Sequence, residues 1–376
     1  MSAPRGLIAR LLGWAGGLAL AAAGGLWILW AIGFFWTDRT LLTQYLFWGG
    51  GMLLLAGVVP VGVVGLVLSF CWQPTRRAVR IRRVALVVGA LGVTVHGFDA
   101  FNVRTLFVRT GPAPRPSATV SILHWNATRD PDVPPSEFLG ALAGDPPPDV
   151  MIISGYLYAQ TRATIQRHVG ERASSVSGGG MVFFSRLPII STRAIEIDVT
   201  AARDGDAAAS RPWLSSLGQW VFSQAHAAWR RRHGPEIAGL LIVKVDAKAT
   251  LGRPLVICAI DLPSNPAISR RRAAEIIALQ LDKLGMNPAT APELPDVLIG
   301  DFNTPHGSYS MSLLAPGMTD AAAAASVGFL ATWPRERRMF HIDHAFVASW
   351  LRASEYRIVD PGRAEHWAQS LRVTAR

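Results

Sequence analysis

The segment Asp296-Val-Leu-Ile-Gly-Asp-Phe-Asn303 combines residue types that hydrolytic chemistry uses. An apolar run ends at Gly300, and a carboxylate and an amide, Asp301 and Asn303, follow at once. In extended chain, residues i and i+2 point the same way, so both side chains would project together from the edge of a sheet. Such a pair can hold a phosphate or a metal-bound water while it polarises a nucleophile. The same residues also suit a turn in which Asp and Asn only satisfy backbone donors. The segment alone leaves both readings open.

Other segments repeat the theme of polar groups at the ends of apolar runs. Val120-Ser-Ile-Leu-His-Trp-Asn126 is a strand pattern ending in an amide. Gly180-Met-Val-Phe-Phe-Ser-Arg-Leu-Pro-Ile189 is a strand followed by Ser-Arg-x-Pro-Ile. His341-Ile-Asp-His-Ala-Phe-Val347 carries Asp343 in an apolar strand, and Ala364-Glu-His366 lies near the C-terminus. Together, and in this order, these segments resemble the endonuclease/exonuclease/phosphatase superfamily, the fold of pancreatic-type DNases, sphingomyelinases and inositol phosphatases. Thr332-Trp333-Pro334, shortly before the Ile-Asp strand, resembles a membrane-anchored bacterial subgroup. The resemblance covers residues 118–376. It implies an α+β fold, a four-layer αββα sandwich (DNase-like) with its site at one edge of two facing sheets.

The resemblance also implies divalent-metal-assisted hydrolysis of a phosphoester, with Mg²⁺ or Mn²⁺. Asn126 resembles the family's strand-end Asn near metal and phosphate. Asp301 and Asn303 resemble the pair that orients the attacking water and binds phosphate. Asp343 and His366 resemble the Asp–His dyad, in which Asp343 would orient the imidazole and stabilise its protonated form. Glu365 stands where the family has Asp before its final His and, with Asp301, is a candidate metal ligand. His306 and Ser308 follow the Gly-Asp-Phe-Asn segment in a loop that helps shape the family's substrate pocket. They are candidate substrate-binding residues, as is Asp261.

Two departures stand out. The family's metal-binding Glu at the end of the strand after an Asp-Val pair falls on Gly155, in Asp149-Val-Met-Ile-Ile-Ser-Gly155. A hard Mg²⁺ depends on one or two carboxylates, and glycine offers none. The family's usual His-Leu reads Asp261-Leu262 here. Three readings follow. An active hydrolase would hold its metal through Asp301 with help from Asp261, Asp130 or Glu365. A degenerate member would bind a phosphate-bearing ligand or a protein partner without turnover. A membrane scaffold needs none of this constellation. Among other polar residues, His124 is expected to be packed or on the surface rather than catalytic. His344 should point to the opposite face from Asp343. Arg270–Arg272 should form a solvated helix start.

These side chains need a scaffold. Strands are expected at Val120–Trp125, Val150–Ile153, Met181–Phe184, Leu240–Val245, Leu255–Ile260, Val297–Ile299 and Ile342–Val347. Several are continuous apolar runs, as when both faces of a sheet are covered. Ser136–Leu142 and Ser269–Leu284 read as helices, the second with a stripe of Ile276, Ile277, Leu281 and Leu284. An amphipathic helical insertion is expected at about 212–233, with Trp213, Trp220 and Trp229 on one face. It reads as packed on the domain, with an interfacial helix as the sharper alternative.

Half of the 376 residues are hydrophobic and only 17% are charged. That excludes a disordered chain. The net charge of +11 is uneven: residues 1–117 hold 11 Arg and Lys against 2 acids, and residues 118–376 hold 26 against 24. The C-terminal part therefore has no electrostatic footprint for bulk nucleic acid. Cys71 and Cys258 offer neither a disulfide framework nor a cysteine metal site.

The N-terminal region, 1–110, is expected to be an all-α transmembrane segment. Apolar stretches at about 11–35, 45–72 and 84–101 read as three transmembrane helices. The first is too long for a signal-peptide core and reads as an anchor. The Arg-rich stretch Arg76–Arg83 places that loop in the cytoplasm by the positive-inside rule. The protein is thus expected in the cytoplasmic (inner) membrane, multi-pass, partnered by the lipid bilayer, with its C-terminal domain extracytoplasmic. A Pro-rich linker at 111–117 would separate the two parts. A phosphoester is the expected substrate or ligand, and that location favours a lipid head group, an envelope phosphodiester or a small extracytoplasmic phosphoester.

Overall fold

The computed structural model describes residues 3–69, 76–103, 118–127, 147–155, 159–170, 173–203, 235–285, 295–326, 328–362 and 364–376. The linker at 111–117, the helix expected at Ser136–Leu142, the insertion at 212–233, Cys71 and Asp130 lie outside them. The chain divides into two compact units, Met1–Ala100 and Phe101–Arg376.

In the first unit, helices Ala3–Trp36 and Arg76–Ala100 contain apolar stretches of 26 and 20 residues, Leu11–Trp36 and Val79–Phe98. Both are long and apolar enough to cross a bilayer. The stretch expected as the middle span is not one unbroken α-helix. It is wound as Leu41–Trp48, a single turn Gly50–Met52, a π-helical segment Leu53–Val58 and an 11-residue helix Val59–Ser69. Pro60 explains the interruption: it has no N–H for the carbonyl one turn back, and π segments arise where that ladder is broken. Small residues let this stretch approach the first helix closely. A Cβ on Gly33 would lie 2.6 Å from the Leu46 backbone, and one on Gly16 2.7 Å from the Ser69 nitrogen.

Among the described residues, the second unit holds twelve strands: β1 (Val120–Asn126), β2 (Val150–Ser154), β3 (Ser174–Gly178), β4 (Met181–Ser185), β5 (Ile189–Asp198), β6 (Ile237–Val245), β7 (Leu255–Asp261), β8 (Val297–Asp301), β9 (Thr319–Asp320), β10 (Asp343–Val347), β11 (Leu351–Val359) and β12 (Ala368–Ala375). They form two six-stranded sheets, in the orders β11-β12-β1-β2-β4-β3 and β5-β6-β7-β8-β10-β9. All seven strands expected from apolar runs are present, each within a few residues of its expected bounds.

Strand alternation explains the layers. Val120, Ile122, Val150, Ile152 and Phe183 of one sheet share a core with Val243, Ile257, Ala259, Val297, Ile299 and Val347 of the other. The alternate residues face outward. Leu123, Trp125, Met151 and Ile153 pack on Ile165 and Val169 of helix Ala159–Val169. Ile242, Cys258, Ile260 and Leu298 pack on Ala273, Ile277 and Leu281 of helix Arg270–Lys283. The unit is therefore a four-layer αββα sandwich. Cys258 sits in an outer layer, its thiol pushed up to about 12 by burial, which makes it inert.

Candidate active site

The period that buries the core also builds the site. Along β8, Val297 and Ile299 face the interior, so Asp301 continues the same column where the strand ends. Asp261 of β7 is the register partner of Asp301 on one side, and Asp343 of β10 is its partner on the other. Three carboxylates thus lie in one row across three neighbouring strands. Opposite them, Asn126 ends the inward column of β1, and His366 lies just before β12 of the same sheet. The site is assembled from both sheets.

Asn126 Nδ2 donates to Asp301 Oδ2 at 2.8 Å, joining the sheets. The Asn303 backbone N–H donates to Asp301 Oδ1 at 2.7 Å, and Asn303 Nδ2 donates to Asp301 Oδ2 at 3.0 Å and to the Leu262 carbonyl at 2.6 Å. Asn303 does not continue an extended strand, as the sequence pattern suggested. Its φ of 46° turns the chain back, a conformation that Asn tolerates better than most residues, and the amide clamps Asp301 from below. Both readings of this segment are thus combined: the turn is what fixes the carboxylate.

His366 Nδ1 donates to Asp343 Oδ2 at 2.9 Å, and its Nε2 stands 3.9 Å from Asp301 Oδ2. The ligand atoms of Asp301, Asp343 and His366 lie within 4.8 Å of one another. Asp343 accepts His366 through Oδ2, and its buried Oδ1 faces His124 Nδ1 at 4.0 Å. Burial alone would disfavour the imidazolium, but Asp343 and Asp301 outweigh it and raise His366 to about 9. Burial, and then the Asp343 charge, push Asp301 up to about 7 against the pull of His366. Burial raises Asp261 as well, reinforced by Asp301 and Asp343. Asp343 moves the other way: burial pushes it up, but the His366 charge and hydrogen bond bring it below the usual range.

Backbone contacts hold the strand ends together. Leu262 N–H donates to the Asp301 carbonyl at 2.9 Å, and a Cβ on Gly300 would lie 1.9 Å from the Ile260 carbonyl oxygen. Only glycine allows β7 and β8 to meet there. On the other sheet, β2 ends at Ser154, and Gly155 turns away with φ 98°.

The sequence of motifs, the two-sheet sandwich and the carboxylate–imidazole site agree with a match of the family model for the endonuclease/exonuclease/phosphatase family to residues 100–366. The chain belongs to that family. No curated protein matches it significantly by sequence. Among solved structures, it is similar to an endonuclease/exonuclease/phosphatase family protein from Bacteroides thetaiotaomicron (12% identity, 69% of this chain, 98% of that chain, TM-score 0.45). It is also similar to sphingomyelinase C from Streptomyces griseocarneus (13%, 69% and 99%, 0.42). A third is a beta toxin variant from Staphylococcus aureus, solved with bound magnesium ions (11%, 68% and 99%, 0.39).

Of the site residues expected in this endonuclease/exonuclease/phosphatase chain, Asn126, Asp261, Asp301, Asn303, Asp343 and His366 form the cluster just described. Glu365 is half-buried, its backbone carbonyl accepting from Arg335 N–H at 2.7 Å, and its carboxylate is not in the converging group. His306 is bonded to Asp320 at 2.8 Å and stacks on His341, and the Ser308 hydroxyl donates to the Pro305 carbonyl at 2.6 Å. His344 does face away from Asp343, its Nε2 2.8 Å from the Thr304 carbonyl.

One expectation is corrected. Arg270 is not solvated: it is 1% exposed, and its guanidinium donates to the carbonyls of Pro263 at 2.6 Å and Asn265 at 3.2 Å. The loop after Asp261 folds over it, so Arg270 anchors the chain leaving the site. Arg271 and Arg272 do form surface pairs with Glu275.

The sequence reading gave His124 no part beneath the site. It is packed there, 3.1 Å from Ser154 Oγ and 3.1 Å from Gln369 Nε2. Burial lowers it to about 4, so it is neutral. Gln369 also donates to the Gly300 carbonyl, and Tyr356 donates to Gln369. The inward parity of Gln369 on β12 was the signal that could have found this network.

Proposed function

We propose that the chain is a membrane-anchored, metal-dependent phosphoester hydrolase. The observation that carries this reading is Asp301, clamped by Asn126 and Asn303, with the His366–Asp343 dyad 3.9 Å away. Asp261, Asp301 and Asp343 stand side by side against a single imidazole, and burial and their mutual repulsion raise Asp261 and Asp301, so the row lacks compensating positive charge. Those features fit a divalent cation, Mg²⁺ or Mn²⁺, held by Asp301 and a neighbouring carboxylate. Such an ion, when bound, supplies charge that stabilises the phosphoryl oxygens and lowers the pKa of water. Asp301 would orient the attacking water and take its proton. His366, kept cationic by Asp343, would face the charge that develops on the phosphoryl oxygens or give a proton to the leaving group.

The two apolar helices support attachment to the cytoplasmic membrane, and the arginines at 76–83 support an extracytoplasmic catalytic unit. That location, and the near balance of charge in residues 118–376, favour a lipid head group or an envelope phosphodiester over long nucleic acid. A second reading, a phosphate-binding member without turnover, is favoured by Gly155: its φ of 98° is one that a metal-binding Glu would adopt only under strain.

The test is hydrolysis of a bis-aryl phosphodiester and of phospholipid vesicles by the full chain in detergent, with Mg²⁺, Mn²⁺ or chelator. Metal-dependent turnover that is lost in Asp301→Ala and in His366→Ala is expected. Binding of inorganic phosphate with no turnover of either substrate would favour the second reading.

A further inference from the structure

We infer that Asp261 takes over the carboxylate role that position 155 lacks, so that Asp261 and Asp301 together hold the divalent cation. This rests on the hydrolase reading above and assigns to one sheet a task that the family's motif divides between two.

The argument begins with the dyad. Asp343 and His366 are committed to each other at 2.9 Å, so of the converging group only Asp301 remains as a carboxylate to hold an ion. A hard cation wants a second carboxylate or more oxygen donors. Among the described residues, the β2 side offers none: the strand ends at Ser154, whose hydroxyl meets His124, and Gly155 has no side chain, while Asp130 lies outside those residues. Glu365 and Asp261 both lie outside the Asp301–Asp343–His366 group, but Glu365 has no strand register with Asp301. The β7 side can supply it. Asp261 is the direct register partner of Asp301 on parallel strands, and alternation puts both on the inward face. Neighbouring strands lie ~4.8 Å apart, a span that one cation can bridge between two carboxylates.

The pair is held firmly. Leu262 N–H and the Asn303 amide tie the two strand ends, and Gly300 lets them meet. The chain beyond Asp261 is anchored by buried Arg270. Exchanging a His-type cation for a carboxylate at position 261 next to an anionic substrate is unfavourable unless an ion sits between them, which the proposal provides.

The test reads metal rather than turnover. Mn²⁺ is titrated into the detergent-purified full chain, with free Mn²⁺ followed by electron paramagnetic resonance, for the wild type and Asp261→Asn. The expected result is stoichiometric binding by the wild type and at least about tenfold weaker binding by the variant, with an unchanged melting curve in chelator. Equal affinity in the two proteins overturns the assignment of Asp261 and leaves the hydrolase reading standing. No Mn²⁺ binding by the wild type overturns both. If Asp261→Asn does not fold, Asp261→Ser is read in the same way.

Discussion

His366 Nε2 stands 3.9 Å from Asp301 Oδ2, although the two residues belong to different sheets. The gap is too long for a direct hydrogen bond. It separates an imidazole that Asp343 and Asp301 raise to about 9, against burial, from a carboxyl that burial and Asp343 raise to about 7. Substrate chemistry placed between them would meet an acid on one side and a base on the other.

Removing either partner should cut turnover steeply while sparing the fold. Asp301→Asn and His366→Gln keep size and hydrogen-bonding capacity but lose the base and the cation. Each should lower turnover by roughly 10²–10⁴-fold, the usual worth of a positioned acid or base. Circular dichroism should show unchanged secondary structure, and turnover on the bis-aryl phosphodiester measures the loss.

Asp343→Asn should act through His366. Without the carboxylate, the largest influence raising the imidazole disappears and burial, which lowers it, prevails. His366 should then titrate well below 9. The imidazole proton resonances, followed against pH in the two proteins, would measure the shift, and an unmoved resonance would contradict the dyad.

The metal-free protein should lose stability as pH rises from about 6.5 to 9. Asp301, about 7 folded against 3.8 unfolded, completes its loss at the start of that window; below it, His124 and His344, lowered to about 4 by burial, act in the opposite sense. His366 has about 9 against 6.5, so its contribution is complete below 6.5 and is lost on approaching 9. The combined loss is on the order of a few kcal/mol. Thermal melts in chelator should show it, and Mn²⁺ should flatten the profile by replacing the missing positive charge.

Gly300→Ala should damage the site without touching a polar group. The added methyl falls 1.9 Å from the Ile260 oxygen, so β7 and β8 must separate where Asp261 and Asp301 stand. A loss of stability of about 1–3 kcal/mol, typical of forced overpacking, should accompany a fall in activity. Denaturant unfolding and the phosphodiester assay would report the two effects separately.

The sequence was most legible where burial dominates. Apolar runs marked β1, β2, β4, β6, β7, β8 and β10 because both faces of these strands are covered. Four longer strands escaped. β3 reads Ser-Ser-Val-Ser-Gly and lies at a sheet edge, and β5 is an edge strand with mostly exposed side chains. β11 and β12 mix polar and apolar residues because they border solvent or carry inward polar groups such as Gln369. Asp301 was visible as a strand-end carboxylate, but its clamp was not, since the positive φ of Asn303 leaves no periodic trace. His366 was visible only through the family's motif order: its partner lies 23 residues away, and only strand pairing brings them together. Arg270 was misread because its burial depends on a loop that folds over it from the other side.

The Asn126–Asp301 bond crosses the interface between two sheets whose separate hydrogen-bond ladders do not depend on it. The site is therefore a seam rather than a patch, and its geometry is only as good as the seating of one sheet on the other. A mutation deep in the shared core, far from any reacting atom, would reach the chemistry by shifting that seating. Activity should thus decline with heat before either ladder melts, making turnover a finer gauge of core packing than any measure of secondary structure.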